Sequence, residues 1–309
     1  MKMTSIKRRD FIQKSGLVIA GAPLLWSCGA SSTENKAAGE AAATVAKEQP
    51  QIGLQLYTMR NQVAEDLEGT LKHVAASGYN YLELFGYGDR SYFGKPAADF
   101  YNLVKGYGLD IRSSHHLSGR ASAPQQGTLT NGWEQAVEDA ANAGQQYMVC
   151  AWLHPDERKS LDDYKSLMDI LNKAGETAKA AGLQFCYHNH DFEFMELEGE
   201  MPMYVMLDGT DADLVKVELD LYWITRAGLD PVDFFKKYPG RTPLWHVKDM
   251  KDSPEMEFAE VGTGTIDFKR IFANAELAGM KSFFVEQDQS DDPNVSIQTS
   301  IKNLKKNIL

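Results

Sequence analysis

The sequence predicts an α/β protein, a single (β/α)8 barrel, and three observations carry that expectation. Eight short apolar runs rich in Val, Ile, Leu and aromatic residues recur from Gln51 onward, separated by longer amphipathic stretches. Such alternation is the pattern of βα units feeding a parallel sheet. The eight units fill a span of about 260 residues, the usual size of one closed barrel. The unusual polar residues also gather at the C-terminal ends of the runs, where a barrel of this kind collects its chemistry. A doubly wound open sheet is the competing fold, but no G-x-G-x-x-G follows the first run, so its phosphate-binding turn is missing.

Taken in order, the strand candidates are Ile52–Tyr57, Tyr81–Tyr87, Leu109–His116, Gln146–Leu153, Leu183–His190, Val215–Trp223, Leu244–Asp249 and Ser282–Asp288. Helical periodicity fills the gaps at Leu67–Ala76, Pro96–Gly106, Trp133–Ala143, Tyr164–Ala181, Pro231–Tyr238, Asp267–Ala278 and Val295–Lys306. Several of these stop at a glycine just ahead of the next strand (Gly78, Gly108, Gly144, Gly182 and Gly279), the residue that ends a helix with φ > 0 at least cost. The fifth crossover, Glu200–Thr210, is short and carries only a weak helical pattern.

The first fifty residues stand apart from the barrel. Met1–Ser27 has a basic start with Arg8-Arg9, then Phe11 and an apolar stretch from Gly16 to Trp26; it resembles a twin-arginine export signal. Leu25-Trp26-Ser27-Cys28-Gly29 is similar to a bacterial lipobox, which makes Cys28 the expected lipid-anchored first residue of an exported periplasmic or membrane-anchored chain. Trp26 is larger than the residues usual before the serine position. Gly29–Pro50 has Val45 as its one large apolar residue, so it cannot bury a core and reads as a flexible linker. The expected division is a signal peptide at 1–28, a linker at 29–50 and the barrel at 51–309.

Charge narrows the function. The formal charge is −11, and it becomes −15 without the signal, which holds Lys2, Lys7, Arg8, Arg9 and Lys14 against Asp10. Such a surface repels phosphate backbones, so nucleic acid is excluded as a partner. Cys150 and Cys186 each lie inside an apolar run and read as buried free thiols.

Alternation along each strand decides what faces the barrel interior. In LQFCYHNH, Cys186, His188 and His190 share one face, opposite Phe185 and Tyr187. In VKVELDLYW, Glu218 and Asp220 face in while Val217, Leu219 and Leu221 face the helices. In LWHVKD the inward set is Leu244, His246 and Lys248, and in SFFVEQD it is Phe284, Glu286 and Asp288. Four successive strands therefore aim His188, Asp220, His246 and Glu286 at one mouth. That mixed nitrogen and oxygen set suits one divalent cation such as Zn, Mn or Co, and burying so many charges without one would be costly.

The motifs IGLQLYTMR, YLELFGYG, YHNHDFEF, VELDLYW, HVKD and FFVEQD resemble those of the xylose isomerase-like TIM barrels grouped as sugar phosphate isomerases/epimerases, over essentially the whole of 51–309. The resemblance implies a single divalent metal held by the ends of strands five to eight, and Asp220, His246 and Glu286 match three of its positions. At the strand-five position this chain has His188 where many members have Glu, so the paired-glutamate acid and base of the ketose 3-epimerases is reduced to Glu286. Together with the export signal, YHNHDFEF looks like an exported branch of the family, for which the resemblance implies keto-sugar chemistry, including 1,2-elimination of 3-keto-glycosides.

The expected reaction is removal of a proton next to a carbonyl. Glu286 is the candidate ligand that doubles as base; His190, Lys248 and His116 are candidates to protonate or orient a small carbohydrate substrate. Glu83 is a candidate to bind sugar hydroxyls or, alternatively, a buried structural carboxylate. Trp152 and Trp223 are candidates to stack on a sugar ring. Of the adjacent His115 and His116 only one can face the interior, and the sequence leaves open which. A surface protein that captures sugars without turning them over is the alternative to an enzyme.

Overall fold

The protein, seen in a computed structural model, is described over residues 50–121 and 125–309. The expected signal peptide, the Cys28 anchor and nearly all of the linker lie outside the described residues. Eight parallel strands close into a barrel: Gly53–Gln55, Tyr81–Leu84, Asp110–His116, Tyr147–Cys150, Gln184–His188, Val215–Asp220, Leu244–Val247 and Ser282–Val285. Each pairs with its sequence neighbours, and the first closes on the eighth through Gly53 opposite Phe284. The five glycines expected to end helices all adopt positive φ, between +76° and +96°.

The interior is layered. Its lower end is filled by Tyr81, Tyr147, Val149, Cys186, Leu244 and Phe284, all buried against one another, as inward positions of a closed barrel require. Above this apolar plug the inward residues turn polar, and on the second, seventh and eighth strands the transition comes two residues along: Tyr81 gives way to Glu83, Leu244 to His246, Phe284 to Glu286. The larger hydrophobic core lies outside the strands, beneath the helices, with Val217, Leu219 and Leu221 fully buried there. Cys150 and Cys186 are both free and buried.

Four departures from the sequence reading have local causes. The sixth strand stops at Asp220 rather than running to Trp223, because Asp220 Oδ1 accepts the backbone N–H groups of Tyr222 and Trp223, each at 2.9 Å, and so caps a helix at Leu221–Arg226. The weak fifth crossover is a true helix, Pro202–Gly209, started by its proline and buried through Met203, Met206 and Leu207. The Asp267–Ala278 stretch is divided into Phe268–Phe272 and Ala275–Ala278. A small hairpin, Ser91–Tyr92 with Lys95–Pro96, precedes the second crossover helix.

Candidate active site

The site is built in two polar layers above the plug. The lower one joins Glu83, His115, Glu218 and His246. His115 Nε2 donates to Glu218 at 2.7 Å and lies 3.1 Å from Glu83. His246 Nε2 donates to Glu83 and lies 3.2 Å from Glu218. Two carboxylates thus alternate with two imidazoles. Burial alone would lower the His115 pKa, but the facing Glu83 and Glu218 overcome it and raise it to about 9. Burial opposes a charged His246 too, and Glu218, Glu286 and Glu83 hold its pKa well above the ordinary value.

A β-bulge puts His115 here. The third strand pairs Ile111 with Leu82 and then Ser113 with Glu83, so Arg112 is an extra, unpaired residue. The slip changes which residues face inward, sending His115 into the barrel and His116 to its edge. Arg112 itself covers the Tyr81 ring at 3.7 Å.

The upper layer is the set expected at the mouth: His188, Asp220, His246 and Glu286, each offering a ligand atom within 4.8 Å of the others. Three of the four are oriented by a hydrogen bond to a partner outside the set, as metal-binding side chains usually are. His188 Nδ1 donates to the Ala151 carbonyl at 3.1 Å, which turns Nε2 to Asp220 Oδ2 at 3.3 Å. Asp220 commits Oδ1 to its helix cap and leaves Oδ2 for the site. His246 donates downward through Nε2 and presents Nδ1 to Glu286 Oε2 at 2.7 Å and Asp220 Oδ2 at 3.8 Å. Asn189, between the two histidines of the HNH motif, accepts the Asp220 backbone N–H at 3.0 Å and so ties the fifth strand's end to the sixth.

The upper layer fits a divalent cation better than the lower one. Four ligands at about 2.1 Å around one ion stand roughly 3.4 Å apart, comparable with the Asp220 contacts and longer than the hydrogen-bonding separations of the lower layer. His246 Nδ1 and Glu286 Oε2, though close, make no hydrogen bond, and both are buried. Charge points the same way. Five carboxylates (Glu83, Glu218, Asp220, Glu286 and Asp288) face His115 and Lys248 as cations, with His246 between them; with His246 neutral, as a ligand must be, three negative charges are left over, and one divalent cation would offset two of them.

Lys248 lies at the rim of this set. It donates to Asp288 Oδ2 at 2.9 Å and lies 2.7 Å from Glu286 Oε2 and 3.0 Å from Asp220 Oδ2. Burial disfavours its charge, yet Asp220, Asp288 and Glu286 hold its pKa well above the ordinary value. Burial also works to raise the Asp220 pKa, and Lys248 together with His188 holds it at about 2.

Over the layers opens a cavity of about 440 Å³, lined by Lys248, Glu286, His188, His190, Trp152 and Trp223 among others. His190 lies beyond its strand's end, stacked on Phe192 with ring centroids 5.4 Å apart. Its backbone N–H is held by Glu193 Oε2 at 2.8 Å, and its Nδ1 is buried without a hydrogen-bond partner.

Two sequence-predicted substrate contacts are engaged by protein groups instead. Glu83 is fully buried in the lower layer, where Gln55, His115 and His246 engage it, and it does not line the cavity. His116 borders the cavity, but Nδ1 donates to the Gly127 carbonyl at 2.8 Å and Nε2 meets Ser114 Oγ at 2.9 Å, leaving no nitrogen for a substrate. Burial holds it neutral, with its pKa lowered to about 4. Sequence reasoning left the choice between His115 and His116 open, and it missed Asn189 and the aromatic rim of Tyr57 and Phe85, whose rings meet edge-on at 5.2 Å. Only the middle residue of the HNH motif carried a readable signal.

Known proteins share this architecture. The sequence profile of the xylose isomerase-like TIM barrel matches residues 71–307. An inosose dehydratase from Clostridium perfringens is 26% identical over 146 residues, 42% of this chain; the match spans about half of that relative, 48% of its length. A solved structure of a sugar phosphate isomerase/epimerase from Parabacteroides distasonis superposes with a TM-score of 0.73 at 29% identity, covering 86% of this chain and 97% of that one. A structure of the IolI protein with a bound zinc atom has the same fold, with a TM-score of 0.64 at 16% identity over 82% of this chain and 96% of that one.

Proposed function

Because this chain belongs to the xylose isomerase-like TIM barrel family, we propose that it is a divalent-metal-dependent sugar isomerase or lyase that acts on a keto-sugar by removing the proton next to the carbonyl. The observation that carries this is the convergence of His188, Asp220, His246 and Glu286 beneath a cavity walled by two tryptophans. The similarity to inosose dehydratases and to a sugar isomerase/epimerase supports the same class.

His188, Asp220, His246 and Glu286 would hold the cation. When bound, it supplies Lewis acidity at a substrate carbonyl and its neighbouring hydroxyl. The chain's own residues do the rest. His190 lines the cavity and takes the α-proton, while the electron pair of that C–H bond moves into the enolate. Lys248, kept cationic by three carboxylates, donates to the oxygen on which charge develops. Trp152 and Trp223 hold the ring and keep water from its faces. Loss of a leaving group from the β-carbon then gives elimination, and return of the proton to the neighbouring carbon gives isomerisation.

The test is metal analysis of the purified protein, followed by NMR of 3-keto-glucosides and free ketoses in D2O. Deuterium appearing next to the carbonyl supports the reading, and loss of the aglycone assigns elimination. No exchange on any keto-sugar overturns it. We also place the enzyme outside the cytoplasm, from the Arg8-Arg9 signal and Cys28; fractionation of cells carrying Cys28→Ser tests the anchor.

A further inference from the structure

A second concavity of about 660 Å³ opens on the same face of the barrel, formed by the segments that follow strands six, seven and eight. Trp223 is the wall common to it and the catalytic cavity. On its near side the partly exposed Trp223 and Phe258 form an aromatic surface, their centroids 5.8 Å apart, backed by the fully buried Tyr222, which stacks on Phe258 at 4.4 Å. Glu257, Glu260, Arg226 and Lys251 supply acceptors and donors around it.

The two spaces are read by consecutive residues of one strand end. Glu286 lines the catalytic cavity and Gln287 lines the groove, since neighbouring residues on extended chain point opposite ways. Gln287 is only 6% exposed. Its Nε2 donates to the Gln289 carbonyl at 3.0 Å, while its Oε1 is buried with no partner. A buried acceptor left unpaired is costly, and a ligand hydroxyl would satisfy it. Trp223 Nε1 is likewise buried and unpartnered.

We propose that this groove is the subsite for a second sugar ring, so that the substrate class is a glycoside of at least two rings, with the reacting ring in the catalytic cavity and its aglycone sugar across Trp223. The inference rests on the sugar-enzyme reading above and deepens it. An aromatic face with carboxylate and amide acceptors around it matches the alternating apolar faces and hydroxyl edges of a pyranose. An apolar aglycone would leave the Gln287 acceptor unpaired.

The experiment is a titration of the full-length protein by saturation-transfer NMR with methyl α-glucoside, trehalose and methyl β-cellobioside, none of which has a carbonyl to enolise. The expected result is that at least one disaccharide binds about tenfold more tightly than methyl α-glucoside, with saturation on both of its rings. Val295 is 56% exposed at the groove's edge. Val295→Trp should therefore cancel the disaccharide's advantage while leaving methyl α-glucoside binding unchanged. Equal affinities for one and two rings, or equal weakening of both by Val295→Trp, overturns the second-ring subsite and leaves the parent reading standing. If none of the three sugars binds, the subsite falls, and the D2O exchange experiment decides whether the parent reading falls with it.

Discussion

His246 donates through Nε2 to Glu83 and thereby turns Nδ1 toward Glu286. One imidazole thus belongs to both polar layers, and the lower layer aims the upper one. Glu83→Gln keeps the side-chain volume but gives up the carboxylate that fixes this tautomer. Metal affinity should fall about 10- to 100-fold, measured by competition with a chromogenic chelator.

Asp220 divides its two oxygens between structure and site. Asp220→Asn keeps an oxygen for the cap at Tyr222 and Trp223, whereas Asp220→Ala removes both functions. Both variants should lose tight metal binding, but the alanine variant should be less stable than the asparagine variant by about 1 kcal/mol, read from urea denaturation of the metal-free proteins.

Lys248 is the only lysine among the buried side chains of the site, and it faces Asp220, Glu286 and Asp288. Removing it leaves those carboxylates with a larger charge surplus. Lys248→Met should destabilise the metal-free protein by about 3 kcal/mol or more and should end turnover. Because a divalent cation then has more charge to neutralise, the rise in Tm on adding metal should be larger for the variant than for the parent.

Glu193 carries a pH dependence separate from the metal set. Burial raises its pKa from 4.5 to about 7, against the pull of the Tyr187 hydroxyl and the His190 backbone N–H. A carboxyl with a raised folded-state pKa stabilises fully below its unfolded value and loses that contribution as pH rises through the folded one. Stability should therefore fall between pH 4.5 and about 7, by about 3 kcal/mol at most. Glu193→Gln should flatten that slope in urea titrations at successive pH values.

Much of this was legible in the chain because period-two alternation is a strong signal on buried parallel strands. It placed Cys186 and His188 inward on one strand, Glu218 and Asp220 on the next, and so on around the mouth, and the structure brings the four ligand candidates together as that alternation implies. What stayed hidden were the places where alternation is broken. The bulge at Arg112 leaves no mark in RSSHH, so which histidine entered the barrel could not be read. Asp220 looked like mid-strand because the apolar LYW behind it suits a strand as well as a helix, and only its cap ends the strand. The role of Glu83 depended on partners 32 and 163 residues away in the chain, His115 and His246, which local pattern cannot report.

The apolar plug beneath the charged layers has a consequence for traffic. With Tyr81, Phe284 and Leu244 closing the floor, a ligand of this cavity would come and go at the open end, past the rim of Tyr57, Phe85, Trp152 and Trp223. Whatever leaves after a turnover would depart by the way it came, so a bulky product at that end would delay the arrival of the next molecule.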